Sequence, residues 1–189
     1  MIGEFLKAEL YSSRFRKGSL KALQMLGYEE DLLDNPDYAN ADQNTQRAKV
    51  LGLTRGWPDE WLFTNFPKNV EWFLINLSQH ELAQAYRLKS KPAMTKNERL
   101  LSTTARNVKA GKKIRNVDPD LVNQMIEKID QCQPLPPIIL VAKNLESQKV
   151  LIEGHSRSIA YCSAQEKYLH NGISAILGIS ATMSEWEYF

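Results

Sequence analysis

Five polar side chains stand around one glycine in residues 153–158, Glu-Gly-His-Ser-Arg-Ser. Arg157 carries a fork of N–H donors that suits phosphate oxygens, and the hydroxyl groups of Ser156 and Ser158 can donate two further hydrogen bonds. Such a set of donors is typical of a site that binds phosphate groups. The predicted phosphate-binding residues of the motif are Gly154, His155, Ser156, Arg157 and Ser158.

Glu153 and His155 are the candidate catalytic residues of this motif. Glu153 can act as a base or hold Mg²⁺ through water, because carboxylate and phosphate oxygens are the ligands that this ion prefers. We therefore predict Glu153 as the metal-binding residue. Phosphoryl transfer depends mainly on positioning and charge neutralisation, so arginine, serine and histidine side chains with Mg²⁺ would be sufficient for slow turnover.

A strand and a helix are the elements that must position the motif. Residues 149–152 predict a buried strand, Gly154 turns the chain, and a helix is expected near residues 156–166. A helix N-terminus has N–H groups without intrahelical partners and carries partial positive charge, which favours a phosphate there. The same pattern also occurs where a glycine only turns the chain and a serine caps an ordinary helix, so the local pattern leaves both interpretations open.

The residues around the motif predict a small sheet packed against helices. Asp118-Pro119 has the signature of a helix start, and a helix of about 12 residues with one apolar face follows. Residues 138–142 and 173–179 are short apolar runs typical of buried strands. A polar turn at 144–148 joins the first run to the strand at 149–152. The expected fold class is α+β, with a short mixed sheet.

The N-terminal part of the chain is predicted to be helical, because the first 110 residues show no alternating pattern of a strand. Helices are expected near residues 79–88 and 96–110. We therefore divide the chain into a helical region of unknown role, residues 1–111, and a small α/β domain, residues 112–189.

Three residue pairs have the spacing of a capping box, in which a hydroxyl group and a carboxylate each satisfy an N–H group at a helix start. Each pair is expected to begin a helix. The pairs are Ser78 with Glu81, Thr95 with Glu98, and Thr182 with Glu185.

A helix, two strands joined by a polar turn, a G-x-x-R segment that opens a helix, and a closing strand follow one another over about residues 112–189. This order resembles the ParB/sulfiredoxin-like superfamily of small nucleotide-binding domains. The motif at 153–157 is similar to the D-G-H-x-R form of free-serine kinases with this fold and of related ParB-like proteins. The resemblance implies that Gly154 lets the backbone approach nucleotide phosphates, that Arg157 binds them, and that His155 contacts phosphate or metal.

Three departures from the family patterns narrow this expectation. Sulfiredoxins carry their catalytic cysteine at the position of His155, so their thiol chemistry is not expected here. ParB partition proteins have G-E-R-R, of which this chain keeps Gly154 and Arg157, and no helix-turn-helix domain follows the motif. The serine kinases use a glutamate near the start of the domain as a base, whereas the corresponding residues 110–116 are basic, which argues against a small-molecule kinase.

The expected function is nucleotide binding, with ATP, ADP or CTP as the ligand and Mg²⁺ as its ion. A phosphotransferase or an NTP hydrolase is the candidate activity, although resemblance in fold and site does not determine the chemistry. The alternative class is a non-enzymatic regulatory or DNA-associated binding module. A third interpretation is a degenerate motif without a nucleotide, because His155 and Ser156 stand where relatives carry other residues.

Two basic segments are candidate contacts for nucleic acid. One contains Lys109, Lys112, Lys113 and Arg115, and the other is Arg-Phe-Arg-Lys at residues 14–17. Both can contact the phosphates of DNA or RNA, but a solvated surface is the simpler interpretation of so few like charges. Lys112 and Lys113 directly precede the predicted nucleotide domain, so they are also candidates for contacting the nucleotide phosphates.

The composition bears on the location and the partners of the protein. The net charge is +2, which does not by itself indicate a nucleic-acid-binding protein. Cys132 and Cys162 lack a CxxC spacing, and the three histidines form no zinc pattern, so a cytoplasmic location is expected. No apolar run approaches the roughly 20 residues needed to cross a bilayer, so no membrane partner is predicted. A homodimer is left open.

Overall fold

The chain divides into two compact units, Met1–Phe66 and Pro67–Phe189. The fold class is α+β, as predicted, because helices build the first unit while helices and a five-stranded sheet build the second. Among the described helices, none has both the length and the apolar character needed to span a membrane. The computed structural model describes residues 2–12, 15–56, 64–89, 93–114 and 117–189.

The first unit packs four described helices around an apolar core. Gly27 and Gly56 end α2 and α4 in the left-handed conformation (φ 67° and φ 71°), as expected for glycine at helix C-termini. The helices are α1 Ile2–Leu10, α2 Arg16–Leu26, α3 Asp31–Asp34 and α4 Ala41–Arg55. The buried core residues are Leu6, Leu10, Ala22, Leu23, Leu32, Leu33, Val50 and Leu51.

Arg47 of α4 is fully buried in the first unit. Its Nη1 donates to the carbonyl oxygen of Leu32 at 3.3 Å and to Oε1 of Gln43 at 3.0 Å. Its Nη2 donates to the carbonyl oxygen of Asp37 and to Oδ1 of Asn44, both at 2.7 Å. Because a buried charge needs hydrogen-bond partners, this network fixes α4 against α3 and the chain between them.

The second unit contains the sheet and the helices that cover it. The strands are β1 Glu71–Leu77, β2 Tyr86–Arg87, β3 Ile138–Ala142, β4 Lys149–Glu153 and β5 Ile173–Ile179. The helices are α5 Gln79–Ala83, α6 Lys96–Arg99, α7 Leu101–Lys109, α8 Pro119–Asp130 and α9 His155–Ser163. Short 3₁₀ turns at Glu166–Tyr168 and Met183–Glu185 precede and follow β5.

The strand order in the sheet is β1-β5-β3-β4-β2. β1 is antiparallel to β5, β5 is parallel to β3, β3 is antiparallel to β4, and β4 is parallel to β2. All five residues of the central β3 are buried, which accounts for its uninterrupted apolar sequence. The predicted strands at 138–142, 149–152 and 173–179 and the predicted helix after Asp118 are confirmed.

The prediction that the first 110 residues contain no strand is wrong, since β1 and β2 lie in this region. The sequence of β1, Glu-Trp-Phe-Leu-Ile-Asn-Leu, does not alternate between apolar and polar residues, and at this edge of the sheet Phe73 is 42% and Leu74 is 73% exposed. β1 pairs with β5 and β2 pairs with β4. Residues 67–111 therefore belong to the compact unit that contains the motif, and the units divide between Phe66 and Pro67 instead of after residue 111.

Two predicted helices in this region are interrupted. The helix expected near 79–88 ends at Ala83, after which the chain enters β2. The helix expected near 96–110 is divided at Leu100, which has φ −57° and ψ 134°. The N–H of Leu101 donates to the carbonyl oxygen of Ala85 at 2.9 Å, so the interruption ties α7 to the residue before β2.

The capping boxes at Ser78 and Thr95 are confirmed, since both reciprocal hydrogen bonds are present in each. The third predicted box is wrong. Thr182 makes no side-chain capping bond, and a 3₁₀ turn follows it instead of an α-helix. The Oγ1 atom of Thr182 instead lies 3.1 Å from Oγ of Ser180, which satisfies the hydroxyl group locally.

Candidate phosphate site

The motif lies where β4 passes into α9 through Gly154, as the sequence predicted. Gly154 has φ 92° and ψ 31°, a conformation that other residues rarely adopt. A Cβ atom at this position would lie 2.8 Å from Cγ2 of Ile138 and 3.2 Å from Nη2 of Arg157. Both the backbone conformation and the available space therefore require glycine.

A change of register in the sheet directly precedes Gly154. Ile139 of β3 is opposite Glu153, whereas Leu140 is opposite Leu151, so Ile152 is an extra residue in β4. Such bulges bend a strand and change the direction of the side chains that follow, and they are frequent beside functional sites. The bulge thus sets the direction in which the chain enters α9.

The N-terminus of α9 has no side-chain cap. Gly154 occupies the N-cap position, and its carbonyl oxygen accepts the N–H of Ser158 at 2.8 Å. The first turn also contains no acidic residue that would satisfy the positive end of the helix dipole. N–H groups at such a helix start are suited to bind an anion.

Arg157 is fixed beside this helix start by two acceptors. Its Nη2 donates to the carbonyl oxygen of Pro137 at 3.3 Å and to Oε2 of Glu153. The Arg157 side chain is only 16% exposed and that of Glu153 is 30% exposed. Within the described part of the chain, the Nε of Arg157 is buried and has no hydrogen-bond partner. The guanidinium group is therefore positioned but retains an unsatisfied donor.

His155 is a neutral imidazole at physiological pH. Removal of the ring from water lowers its pKa to about 4, and the positive charges of Arg87 and Arg157 lower this pKa while the charge of Glu153 raises it. The ring is half-buried at the first position of α9. A neutral imidazole can donate one hydrogen bond and accept another, but a base with so low a pKa takes up a proton weakly.

The two predicted serines differ in their surroundings. Ser156 is half-buried in the first turn of α9. Ser158 is fully buried, and its Oγ has no hydrogen-bond partner among the residues that the structure describes. A phosphate at the N-terminus of α9 could therefore be reached by the hydroxyl group of Ser156 more easily than by that of the fully buried Ser158.

Glu153 does not fit a Mg²⁺ ion held by protein ligands. Its Oε2 is engaged by the guanidinium group of Arg157, whose positive charge opposes a cation at the same carboxylate. No group of three or more His, Cys, Asp or Glu residues suited to a metal ion occurs among the described residues. A Mg²⁺ ion here would depend on phosphate oxygens and water, which it commonly retains as ligands.

The lysines predicted to reach the phosphates are exposed and lie beyond the end of α7. The N–H of Lys112 donates to the carbonyl oxygen of Asn107 at 3.0 Å, which closes the end of that helix. Over the described ranges, no hydrogen bond or ion pair joins Lys112 or Lys113 to residues 153–158. Contact of these lysines with nucleotide phosphates therefore stays a prediction.

The two basic segments and Cys162 show no link to the motif in the described residues. Arg14 and Arg115 of the two basic segments lie outside the described residues. Arg16 forms an ion pair with Glu30 at 2.9 Å. Burial raises the pKa of the Cys162 thiol to about 12, so this thiol is not an activated nucleophile.

The sequence analysis missed two buried arginines, Arg87 of β2 and Arg99, whose Nε donates to the carbonyl oxygen of Arg87. Arg87 is 9% exposed and Arg99 is 6% exposed. β2 contains only two residues and α6 only four, so neither arginine stands in a periodic pattern or a spaced motif. Only the pairing of β2 with β4 reveals that Arg87 belongs near the motif.

The fold and the site together define an α+β protein with a cationic junction of strand, glycine and helix. Comparison with protein-family models, with curated proteins and with solved structures finds no match to this chain. The resemblance to the ParB/sulfiredoxin-like superfamily therefore stays a prediction.

Proposed function

We propose that the Pro67–Phe189 unit binds the phosphate groups of a nucleotide at the N-terminus of α9. The observation that supports this most strongly is Arg157, whose buried Nε lacks a partner in the described residues beside a helix start without a cap. A phosphate oxygen would satisfy the guanidinium donor and the backbone N–H groups together. Gly154 would allow the close approach, since a side chain there would occupy the space.

The site geometry supports binding of a phosphate group, whereas the choice of a nucleotide as the ligand rests on the resemblance to the ParB/sulfiredoxin-like superfamily. ATP, ADP and CTP are the candidates that we carry forward, because backbone N–H groups recognise phosphates without reading the base. The degenerate-motif interpretation predicts that none of the three binds.

Binding is better supported than catalysis. The carboxylate of Glu153 is engaged by Arg157, and burial lowers the pKa of His155 to about 4, so His155 is a weak base at neutral pH. Phosphoryl transfer or NTP hydrolysis with Mg²⁺ would require Glu153 to leave Arg157. We therefore propose a nucleotide-binding protein and treat turnover as the activity to be tested next.

A regulatory or DNA-associated module is the second candidate function. The observation in its favour is the exposure of Lys109 at the end of α7 and of Lys112 and Lys113 after it, where phosphates of a nucleic acid can reach them. A cytoplasmic location agrees with Cys132 and Cys162, which form no disulfide.

Isothermal titration calorimetry with ATP, ADP and CTP, each with and without Mg²⁺, tests the proposed function. We expect micromolar binding of at least one nucleotide, and at least a tenfold loss of affinity, about 1.4 kcal/mol, in Arg157→Ala. Arg157→Lys keeps a positive charge without the fork of donors and should lose part of the affinity.

Arg106→Ala is the matched control, because Arg106 is an exposed arginine of α7. This variant should bind like the unmodified chain. Circular dichroism of each variant separates a loss of binding from a loss of fold. Binding that is equal in Arg157→Ala and in the unmodified chain would contradict the proposed site, and DNA binding without nucleotide binding would favour the second candidate.

A further inference from the structure

Glu153 holds the guanidinium group of Arg157 from the residue that directly precedes the start of α9. It is the last residue of β4, and Gly154, which follows it, is the N-cap residue of α9. Its Oε2 accepts a hydrogen bond from Nη2 of Arg157, so the ion pair spans the helix start. The same Nη2 would lie 3.2 Å from a Cβ atom on Gly154, which places the pair directly beside the N-cap.

Both N–H groups of this nitrogen are engaged by the protein itself. Each Nη atom of a guanidinium group carries two N–H groups, and those of Nη2 have two acceptors. The acceptors are Oε2 of Glu153 and the carbonyl oxygen of Pro137, the latter at 3.3 Å. The carbonyl group of Pro137 belongs to the main chain directly before β3, where the sheet holds it in place. The side chain of Glu153 is the acceptor that can leave, since it is already 30% exposed to water.

A phosphate group that binds Arg157 through two parallel hydrogen bonds needs this nitrogen. The guanidinium group offers two such pairs of donors, Nη1 with Nη2 and Nε with Nη2, and both pairs include Nη2. A phosphate at Nη2 would also lie beside the carboxylate of Glu153, where the two negative charges repel each other. Phosphate and Glu153 therefore compete for the same donor.

We propose that the carboxylate of Glu153 occupies Arg157 before a ligand binds and is displaced when a phosphate enters the site. This inference rests on the proposed function and adds a regulation of the same site. The affinity for phosphate is reduced by the free energy that breaking the ion pair costs. Glu153 is released from Arg157 only while a phosphate is bound, which is the condition that catalysis by this carboxylate requires.

Calorimetric titration of the full chain with inorganic phosphate at constant ionic strength tests this competition. Glu153→Gln removes the charge but keeps a side-chain oxygen that can accept a hydrogen bond from Arg157. This variant should bind phosphate at least about threefold more tightly than the unmodified chain, because no charged group has to be displaced. If Glu153 instead only positions Arg157 for the ligand, the same variant should bind phosphate equally well or more weakly.

A second measurement uses the unmodified chain and so does not depend on the folding of Glu153→Gln. The carbon-13 resonance of the Glu153 carboxyl group is followed by NMR during titration with phosphate. It should move towards its position in Arg157→Ala, in which the ion pair is also absent. A resonance that stays in place while phosphate binds would overturn the inference.

Glu146→Gln is the matched control, because Glu146 is exposed in the turn before β4, at the end of the strand opposite to Glu153. It removes the same charge and should bind phosphate like the unmodified chain. Equal or weaker phosphate binding by a folded Glu153→Gln protein would overturn this inference alone, provided that binding still depends on Arg157. If neither the unmodified chain nor Glu153→Gln binds phosphate, the proposed function fails.

Discussion

His155 experiences two positive charges, of Arg87 and Arg157, and one negative charge, of Glu153. Burial and the arginines together lower its pKa to about 4, so the folded protein resists protonation at this residue. A bound phosphate would act in the opposite direction, because an anion near the ring favours the charged imidazole. A phosphate bound at the proposed site would therefore raise the pKa of His155.

This lowered pKa predicts an acid-sensitive stability. The unfolded chain takes up a proton at His155 below about pH 6.5, whereas the folded chain does so only near its pKa of about 4. Stability should therefore fall as the pH decreases through this window, by at most about 3 kcal/mol for this half-buried residue. His155→Gln should remove this part of the pH dependence in urea unfolding at about pH 7.5 and about pH 4.5.

His170→Gln is the control for this measurement, because His170 is exposed. Its pH dependence should follow that of the unmodified chain. The same pH dependence in His155→Gln and the unmodified chain would show that the environment of His155 is not as described.

At the scale of elements, the junction between β4 and α9 depends on one residue. Gly154→Ala combines a strained φ of 92° with a contact of 2.8 Å to Cγ2 of Ile138. We expect it to reduce the free energy of unfolding by about 2–4 kcal/mol, from backbone strain and overpacking together. Phosphate affinity should fall as well, because the added Cβ lies 3.2 Å from Nη2 of Arg157.

Gly111→Ala provides the comparison, since Gly111 has a similar φ of 76° but nothing within 4 Å of an added Cβ. This variant should lose only the strain contribution, about 1–2 kcal/mol. Urea unfolding of both variants separates the two effects. Equal losses would show that the space around Gly154 is not tight.

The elements that the sequence predicted correctly have strong local signals. Asp118-Pro119 marks the start of α8, because the Asp118 carboxylate accepts N–H groups of the first turn and proline fits the first helical position. β3 is apolar throughout because it is covered on both faces. β2 has two residues and hence no periodicity, and β1 is an edge strand with exposed apolar side chains. Their pairing partners lie far away in the chain, so no local pattern could reveal them.

In the candidate site, too, the residues within a local motif could be predicted from the sequence, whereas those brought in by strand pairing could not. Arg157 lies three residues after Gly154, so a local motif is enough to predict it. Arg87 comes near the motif only through the parallel pairing of β2 with β4. Lys112 and Lys113 were chosen for their nearness in sequence to the predicted domain, but the structure places them beyond the end of α7.

At the scale of the whole molecule, the second unit needs residues that the sequence analysis assigned to another region. Its core includes Leu77, Leu82 and Leu101 together with Leu140 and Leu151 of the central strands. Two of its strands, β1 and β2, also lie before residue 112. The sheet and its core therefore cannot be completed by residues 112–189 alone.

This organisation predicts the behaviour of two fragments. Residues 67–189 should unfold cooperatively and bind phosphates like the full chain, whereas residues 112–189 should lack cooperative unfolding because β1, β2 and part of the core are missing. Circular dichroism with thermal and urea unfolding distinguishes the two results. A cooperative transition in the shorter fragment would contradict the assignment of residues 67–111 to this unit.

The hydrogen bonds of Arg47 in the first unit do not respond to acid, unlike the ion pair that Arg55 forms with the buried Glu9 in the same unit. A guanidinium group stays protonated at any pH that a protein meets, and the acceptors of Arg47 are two carbonyl and two amide oxygens, none of which titrates. Acidification therefore leaves these four bonds intact, in contrast to a core held by carboxylates. The helical unit thus keeps its central cation anchored under conditions in which the histidine of the other unit is being charged.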